Sequence, residues 1–374
     1  PGIFASFTVF SDAMYGIFSI PDVGNFVIAP NTLQTPRIEG HYVVFNDKDD
    51  VEPIIGNICG TDNKTMAPKT TGEGTGAKNV YNTCKDVEEF IKVDYDTYMD
   101  YGGNPAAVTQ ITNYMTALYN MIATCYRNQG IYTSIRHIEV NTTFDVYYNI
   151  SSKKSHDYLY AMDAEFNGNL HGADLCMLIS NVPEGMGGVA WLNALCAPAP
   201  NPNPNISKYG PYSFSNIRSR SGSFTGTVLP RYHWDIQVIT HEMGHNLSSP
   251  HTHDCEWGPG GITPIDWCAP TYDADLAKPN CTNPNPNLIP TPAVGGTIMS
   301  YCHLLNGSGG NPNIGINLAN GFGPEPGQRI RDFVDNSGCA TPYLVSVPLT
   351  AAGDTVTANR ECTDNGITYY WEDN

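Results

Sequence analysis

Residues 234–255 read WDIQVITHEMGHNLSSPHTHDC, and this stretch decides how the rest of the chain is read. Ile236, Ile239, Met243 and Leu247 recur at spacings of three and four, which gives a helix one apolar stripe toward a core. His241 and His245 are four apart, so their imidazoles lie one turn apart on the same side and can share a metal ion. Glu242 follows the first histidine and points to the same cleft without having to be a ligand. That placement suits a base that takes a proton from metal-bound water. His251 stands six residues beyond His245, after the expected end of the helix. Three neutral imidazoles leave a tetrahedral Zn²⁺ one open position, the mark of a catalytic rather than a structural site.

Two further stretches bear on this one. GGTIMSYCH (295–303) is a turn candidate containing Met299, and GGVAWLN (187–193) is a short apolar strand candidate. With them the sequence resembles the metzincin zinc endopeptidases, whose pattern is HExxHxxGxxH followed by a Met-containing turn. THEMGHNL and GGVAWLNALC look most like the adamalysin/reprolysin branch, in particular its secreted bacterial members. Ser248 stands where the family has a glycine that leaves the helix at positive φ, at a cost on the order of 1 kcal/mol for a non-glycine residue. Thr252 stands where the branch has an aspartate.

The resemblance, covering roughly residues 84–340, implies His241, His245 and His251 as zinc ligands, Glu242 as catalytic base and Met299 under the metal. It implies that Gly188, Val189, Ala190 and Trp191 form a strand that pairs with an extended peptide substrate. Two readings stand for Tyr301: a zinc ligand or oxyanion donor, as in other branches of the clan, or a packing aromatic. His253 and His303 read as rim or supporting residues. The family's propeptides often carry Cys-Gly, and Cys59-Gly60 occurs in GNICGTD (56–62). Cys59 is then either the thiolate that occupies the fourth zinc position of a latent form or half of a disulfide.

Composition sets the outer bounds. The 374 residues carry 19 Lys+Arg and 37 Asp+Glu, a net charge of −18, which excludes a phosphate-backbone binder. Charged residues are only 15% and hydrophobic ones 41%, so the chain is no charge-rich disordered segment. With 36 Gly and 28 Pro it reads as globular and loop-rich, and no apolar run reaches the length of a membrane span. It opens at Pro1 and reads as a processed fragment. Eleven cysteines without a CxxC pair suggest disulfides and an extracellular compartment, and the odd count leaves at least one without an intrachain partner. The resemblance suggests Cys196–Cys339, with Cys255–Cys302 and Cys268–Cys281 bracing the loops near the metal. Cys84 and Cys176 open strands that could lie side by side, and Cys125 and Cys362 remain. Of six N-x-S/T sequons, at Asn63, Asn141, Asn149, Asn205, Asn246 and Asn306, Asn246 falls inside the metal helix.

Along the chain, residues 1–65 read as a β-rich prodomain with strands in 2–10, 14–20, 25–30 and 41–47. Residues 66–83 read as a flexible linker, with Lys69 and Lys78 as activation sites. Residues 84–342 form the catalytic domain. It has strands over 87–96, 131–140, 173–180 and 187–194, a long helix on the stripe Ala107, Ile111, Tyr114, Leu118, Ile122 and Cys125, and helices over 155–167 and 324–336. Strand–helix alternation gives an α/β or α+β class: a twisted mixed sheet, long helices, and a loop-dominated C-terminal part after Cys196. Residues 343–374 open a further β-module. The expectation is a secreted monomeric zinc endopeptidase in zymogen form, with protein or peptide substrates and an activating protease as partners. The alternative is an adhesin or binding module with the same fold and no turnover. Calcium is a second candidate ion, with oxygens in VDYDTYMDYGGN (93–104).

Overall fold

The computed structural model describes residues 3–11, 13–31, 39–49, 59–61, 85–148, 150, 154–166, 169–182, 186–197, 210–218, 232–268, 286–305 and 314–342, and strand backbone within 346–372. Lys69, Lys78, Cys84, Cys281 and the sequons at Asn63, Asn149, Asn205 and Asn306 lie outside the described residues.

The N-terminal strands β1 (Phe4–Val9), β2 (Met14–Ile20), β3 (Gly24–Pro30) and β4 (Tyr42–Asn46) pair in sequence order as an antiparallel meander. Their residues alternate as a half-buried sheet requires. Phe4, Ser6, Tyr15, Ile17, Val27 and Ala29 face inward, while Phe7, Val9 and Val44 face solvent.

The second sheet is mixed, in the order β10-β5-β7-β9-β8 with β6 also on β5. Its strands are β5 (Lys85–Val93), β6 (Tyr132–Val140), β7 (Leu175–Ser180), β8 (Gly188–Ala190), β9 (Tyr212–Asn216) and β10 (Thr341–Pro342). β5 runs parallel to β6 and β7, and β7 parallel to β9; β8 returns antiparallel against β9 at the edge. Helix α1 (Tyr95–Asp100) follows β5, α2 (Pro105–Arg127) crosses over to β6, and α3 (Ser155–Phe166) precedes β7. Helices α4 (His233–Asn246) and α5 (Pro324–Asp335) follow later in the chain. Asn104 caps α2 by accepting from Ala106 N and Ala107 N, with Pro105 at its first position. The stripe from Ala107 to Cys125 is buried throughout. One sheet face packs Val87, Ile91 and Val93 against α2 and α4. The other packs Phe90, Leu178 and Phe214 against Tyr158, Leu159 and Met162 of α3.

Several expectations are corrected. The strand expected over 87–96 ends at Val93, because Asp94 accepts from Thr97 N (2.9 Å) and starts α1. Burial pushes the Asp94 carboxyl up to about 7, against hydrogen bonds from Ser180 and Thr97 that favour its charge. Strand β9 was not expected; its five residues are all buried, and the period-two pattern Tyr-Ser-Phe-Ser was its signal. The strand expected over 187–194 is confined to Gly188–Ala190.

Cys302 pairs with Cys268 (Cα–Cα 4.7 Å), so the expected Cys255–Cys302 and Cys268–Cys281 bridges do not form. Ile265 N and Asp266 N both donate to Thr252 O, and this brings Cys268 beside the turn that carries Cys302. Cys255 is itself disulfide-bonded. Cys196–Cys339 is present. Cys176 is a free buried thiol, like Cys125. Strands β5 and β7 lie side by side as expected, with Cys176 opposite Phe90. After α5 the chain forms β11 (Ser346–Ala351), β12 (Asp354–Thr363) and β13 (Gly366–Glu372), an antiparallel three-stranded sheet.

Candidate active site

Helix α4 is buried along its whole length, so its polar side chains must find partners inside the protein. Asp235, in its first turn, accepts from Arg218 N (2.8 Å) and from the Tyr114 hydroxyl of α2. Asn246, at its end, donates to Trp191 O (2.8 Å) and Tyr212 O (3.0 Å), which ties the helix to β8 and β9. That amide is fully enclosed, so the Asn246 sequon is inaccessible in the folded chain. Beyond α4 the chain turns sharply. Ser248 takes φ 86, where the resembling family has glycine, and donates its N–H to His245 O (2.9 Å). Ser249 N returns to Gly244 O (3.0 Å), and Arg329 Nε donates to Ser248 Oγ (3.4 Å).

This turn delivers His251 to the helix histidines. His245 Nε2 lies 3.1 Å from both His241 Nε2 and His251 Nε2. His241 Nδ1 faces Ile298 O at 2.8 Å, and His245 Nδ1 faces Ser249 O at 2.6 Å. A nitrogen facing a carbonyl must carry the proton, so the Nε2 atoms of both rings present bare lone pairs. Burial pushes His241 down to about 4 and holds His245 and His251 well below the usual histidine range, with the neighbouring histidines adding to the effect. Neutral lone pairs converging at this distance repel one another unless a cation sits among them. The donor set therefore fits zinc, with Cys59 Sγ as fourth donor 3.4 Å from His245 Nε2.

Met299 lies beneath the cluster. A Cβ on Gly244 would come within 2.7 Å of Met299 Sδ, so glycine in HEMGH is what lets the turn approach the helix. The turn is also tied to the third histidine's loop by Thr252 N to Met299 O (3.1 Å). Thr252 Oγ1 donates to Asp266 Oδ2 (2.5 Å). His253 stacks on His251 with centroids 4.9 Å apart, and His303 Nδ1 lies 3.0 Å from Gln237 Nε2.

Glu242 stands between the cluster and strand β8. A Cβ on Gly188 would meet Glu242 Oε1 at 2.4 Å, so that strand can pass the carboxylate only as glycine. Burial raises Glu242 to about 8, opposed by hydrogen bonds from Cys59 and Thr61. Cys59 Sγ lies 3.3 Å from Glu242 Oε2, and burial followed by that charge holds the thiol well above its ordinary range. Gly60 N donates to Gly188 O (2.7 Å). The Thr61 hydroxyl accepts from Ala190 N (2.9 Å) and lies 3.2 Å from Ala190 O. Residues 59–61 thus cover the free edge of β8, running in the same direction as the strand. The Tyr301 hydroxyl donates to Cys59 O (2.9 Å).

The sequence-predicted residues His241, Glu242, His245, His251, Met299, Tyr301, Cys59 and Gly188–Trp191 therefore come together around one point. Sequence reasoning missed Thr61, Asn246 and the Thr252–Asp266 pair. Only the adjacency of Thr61 to Cys-Gly pointed to the first, and nothing local to the others. The acidic stretch 93–104 forms no cluster able to hold an ion among the described residues. Of two further groups among the described residues, His251, His253 and Asp254 share a ligand with the first, and Asp266, Cys268 and Cys302 contain a disulfide. No helix among the described residues is long and apolar enough to cross a membrane.

No curated protein matches the chain. Among solved structures, one titled "Structure of a chaperone-substrate complex" aligns at TM-score 0.33 and 17% identity, with 68% of this chain covering 36% of that one. This chain thus spans about a third of that protein's length, and the likeness is too slight to bear on fold or function. A sequence model of the reprolysin type, described as Metallo-peptidase family M12, matches residues 83–308. That span holds all three histidines, Glu242, β8 and the Met299 turn. The chain belongs to Metallo-peptidase family M12.

Proposed function

We propose that this chain is a secreted zinc endopeptidase of the metzincin type, held latent by its own residues 59–61. The observation that carries the reading is the convergence of three histidine Nε2 atoms beside Glu242, next to the edge strand of a sheet. His241, His245 and His251 would hold zinc, which when bound polarises the scissile carbonyl and acidifies a water. Glu242 takes the proton from that water and returns it to the leaving amine. With residues 59–61 withdrawn, the segment Gly188–Trp191 binds an extended peptide through Gly188 O and the Ala190 main-chain groups that they vacate, which fixes the scissile bond next to Glu242. Once Cys59 is withdrawn, the Tyr301 hydroxyl loses its present acceptor and becomes available to the developing oxyanion.

Latency is supported by what residues 59–61 do. The Cys59 thiol takes the fourth donor position, and Gly60 and Thr61 use the strand groups a substrate would need. They run parallel to β8, opposite to the antiparallel course expected of a substrate. Secretion is supported by the disulfides, which persist in an oxidising compartment. With the three ligands and the base all in place, nothing favours a fold without turnover.

The test is metal analysis of the purified chain together with cleavage of casein after the chain is cut on both sides of residues 59–61, once between residues 49 and 59 and once between residues 62 and 84. One zinc per chain and chelator-sensitive cleavage are expected. Glu242→Ala should keep the zinc and lose about 10²- to 10⁴-fold in rate. Full activity in that variant removes Glu242 from the role.

A further inference from the structure

The N-terminal sheet leaves one face to solvent and buries the other, with no second layer of its own among the described residues. A four-stranded sheet must bury that face against something. Here Phe4, Ala13, Tyr15, Ile17, Val27 and Ala29 join one continuous core with α2 and α4. Three sets of polar contacts frame that core. On α2, Asn120 Nδ2 donates to Phe7 O (3.2 Å) and Thr8 Oγ1 (3.0 Å), and Ser6 Oγ donates to Asn120 O (3.3 Å). Just before α4, the buried Tyr232 hydroxyl enters the β2–β3 ladder. It lies 2.7 Å from Gly16 O and 2.8 Å from Ile28 O, and accepts from Gly16 N (3.1 Å). On the far side, the Asn25 side chain donates to Ile316 O (2.6 Å) and accepts from Leu318 N (2.9 Å), while Asn317 Nδ2 donates to Ile20 O (3.0 Å).

We infer that this sheet is a resident subunit of the mature protein: the face made by α2, Tyr232 and residues 316–318 keeps strands β1–β4 bound after the chain is cut. Loss of the sheet would expose the shared core on both partners and strand the Asn25 and Tyr232 groups, whereas loss of residues 59–61 costs only the contacts at the site. The switch and the sheet are therefore separable. A cut between residues 62 and 84 alone leaves Cys59 tethered ten residues from Asp49, at high effective concentration for its site. Release of the switch needs a second cut between Asp49 and Cys59, and the product is a two-chain protein. In what it says about activation, this inference rests on the latent-peptidase reading; the docking does not.

The experiment inserts recognition sequences for a site-specific protease after Ile54 and after Gly74 in the full chain. After cleavage, native gel filtration and mass determination identify which pieces travel together. Expected is a one-to-one complex of the sheet fragment with the catalytic chain, from which the short Cys59 peptide separates. Elution of the sheet fragment apart from a folded catalytic chain overturns the inference. Peptidase activity should rise after the double cut and stay near background after the Gly74 cut alone; full activation by that single cut overturns the tethering. A complex that persists without any peptidase activity sinks the proposed function and leaves the docking intact. Tyr232→Phe keeps the ring and deletes the hydroxyl, and should raise the dissociation constant of the nicked complex roughly 10- to 100-fold. Asn25→Ala, on the opposite flank, should raise it by a similar factor. No change in either variant removes these anchors from the account.

Discussion

His241, Glu242 and His245 stand on a single helix face, whereas His251, Met299 and Cys59 reach the same point from separate segments. The first group needs only the 3.6-residue period to meet. The second needs a chain reversal at Ser248, a glycine-permitted contact at Gly244 and a segment 186 residues away from His245. The helix half is thus robust to local change and dependent on how α4 is anchored. The other half depends on hydrogen bonds and packing that no local rule supplies, and is where the site can be opened, closed or loosened.

The largest expected effect falls on the most remote member. Cys59→Ala removes the fourth donor, and the uncut chain should gain at least about tenfold in hydrolysis of a fluorogenic peptide. An unchanged background rate would mean that residues 60–61 alone keep the site closed.

The next test turns to the anchoring of the helix half. Asn246→Leu leaves Trp191 O and Tyr212 O without their donor, at a cost of about 2–4 kcal/mol in urea unfolding. Because β8 is what the amide holds, KM for long peptides should rise more than kcat falls. A purely structural role would lower stability and leave KM alone.

Asp94 extends the comparison to a carboxylate whose behaviour is set by burial. Its folded pKa of about 7 lies above the ordinary 3.8, so the protonated form is favoured in the fold. The associated stability is fully present below about pH 4 and is lost as pH rises through 7. The loss is of order a few kcal/mol. Asp94→Asn should flatten this dependence, so its Tm advantage over the parent grows from pH 4 to pH 8. Parallel Tm–pH curves would refute the shift.

The smallest effect is at the reversal itself. Ser248→Gly relieves the positive φ and should stabilise by about 1 kcal/mol, less whatever the Arg329 contact contributes. Destabilisation would show that the Ser248 hydroxyl, and not the backbone, holds the third-histidine loop.

Local signals carried much of the fold. The meander β1–β4 was legible because each strand alternates and ends in turn residues, and α2 because its buried positions keep one period over 23 residues. Strand β9 was lost between proline-rich flanks, although Tyr212-Ser-Phe-Ser alternates. Asp94 reads like a calcium oxygen in a run of acids, yet its carboxylate is spent on Thr97 N and Ser180 Oγ. The cysteine pairing near the site could not be read from spacing. Which thiols meet there follows from Thr252 drawing Ile265 and Asp266 inward, a contact between loops.

By itself the sequence determined the chemistry available: two histidines and a glutamate on one helical face, a third histidine past its end, and a Cys-Gly far upstream. Periodicity and residue type suffice for that, because helix geometry is set by the backbone alone. Only the tertiary structure decided that Cys59, Thr61 and Tyr301 meet over the edge of β8, that Cys302 bonds Cys268, and that the N-terminal sheet shares its core with α2 and α4. Those outcomes depend on burying apolar faces and satisfying buried polar groups across distant segments, and no short stretch of sequence encodes them.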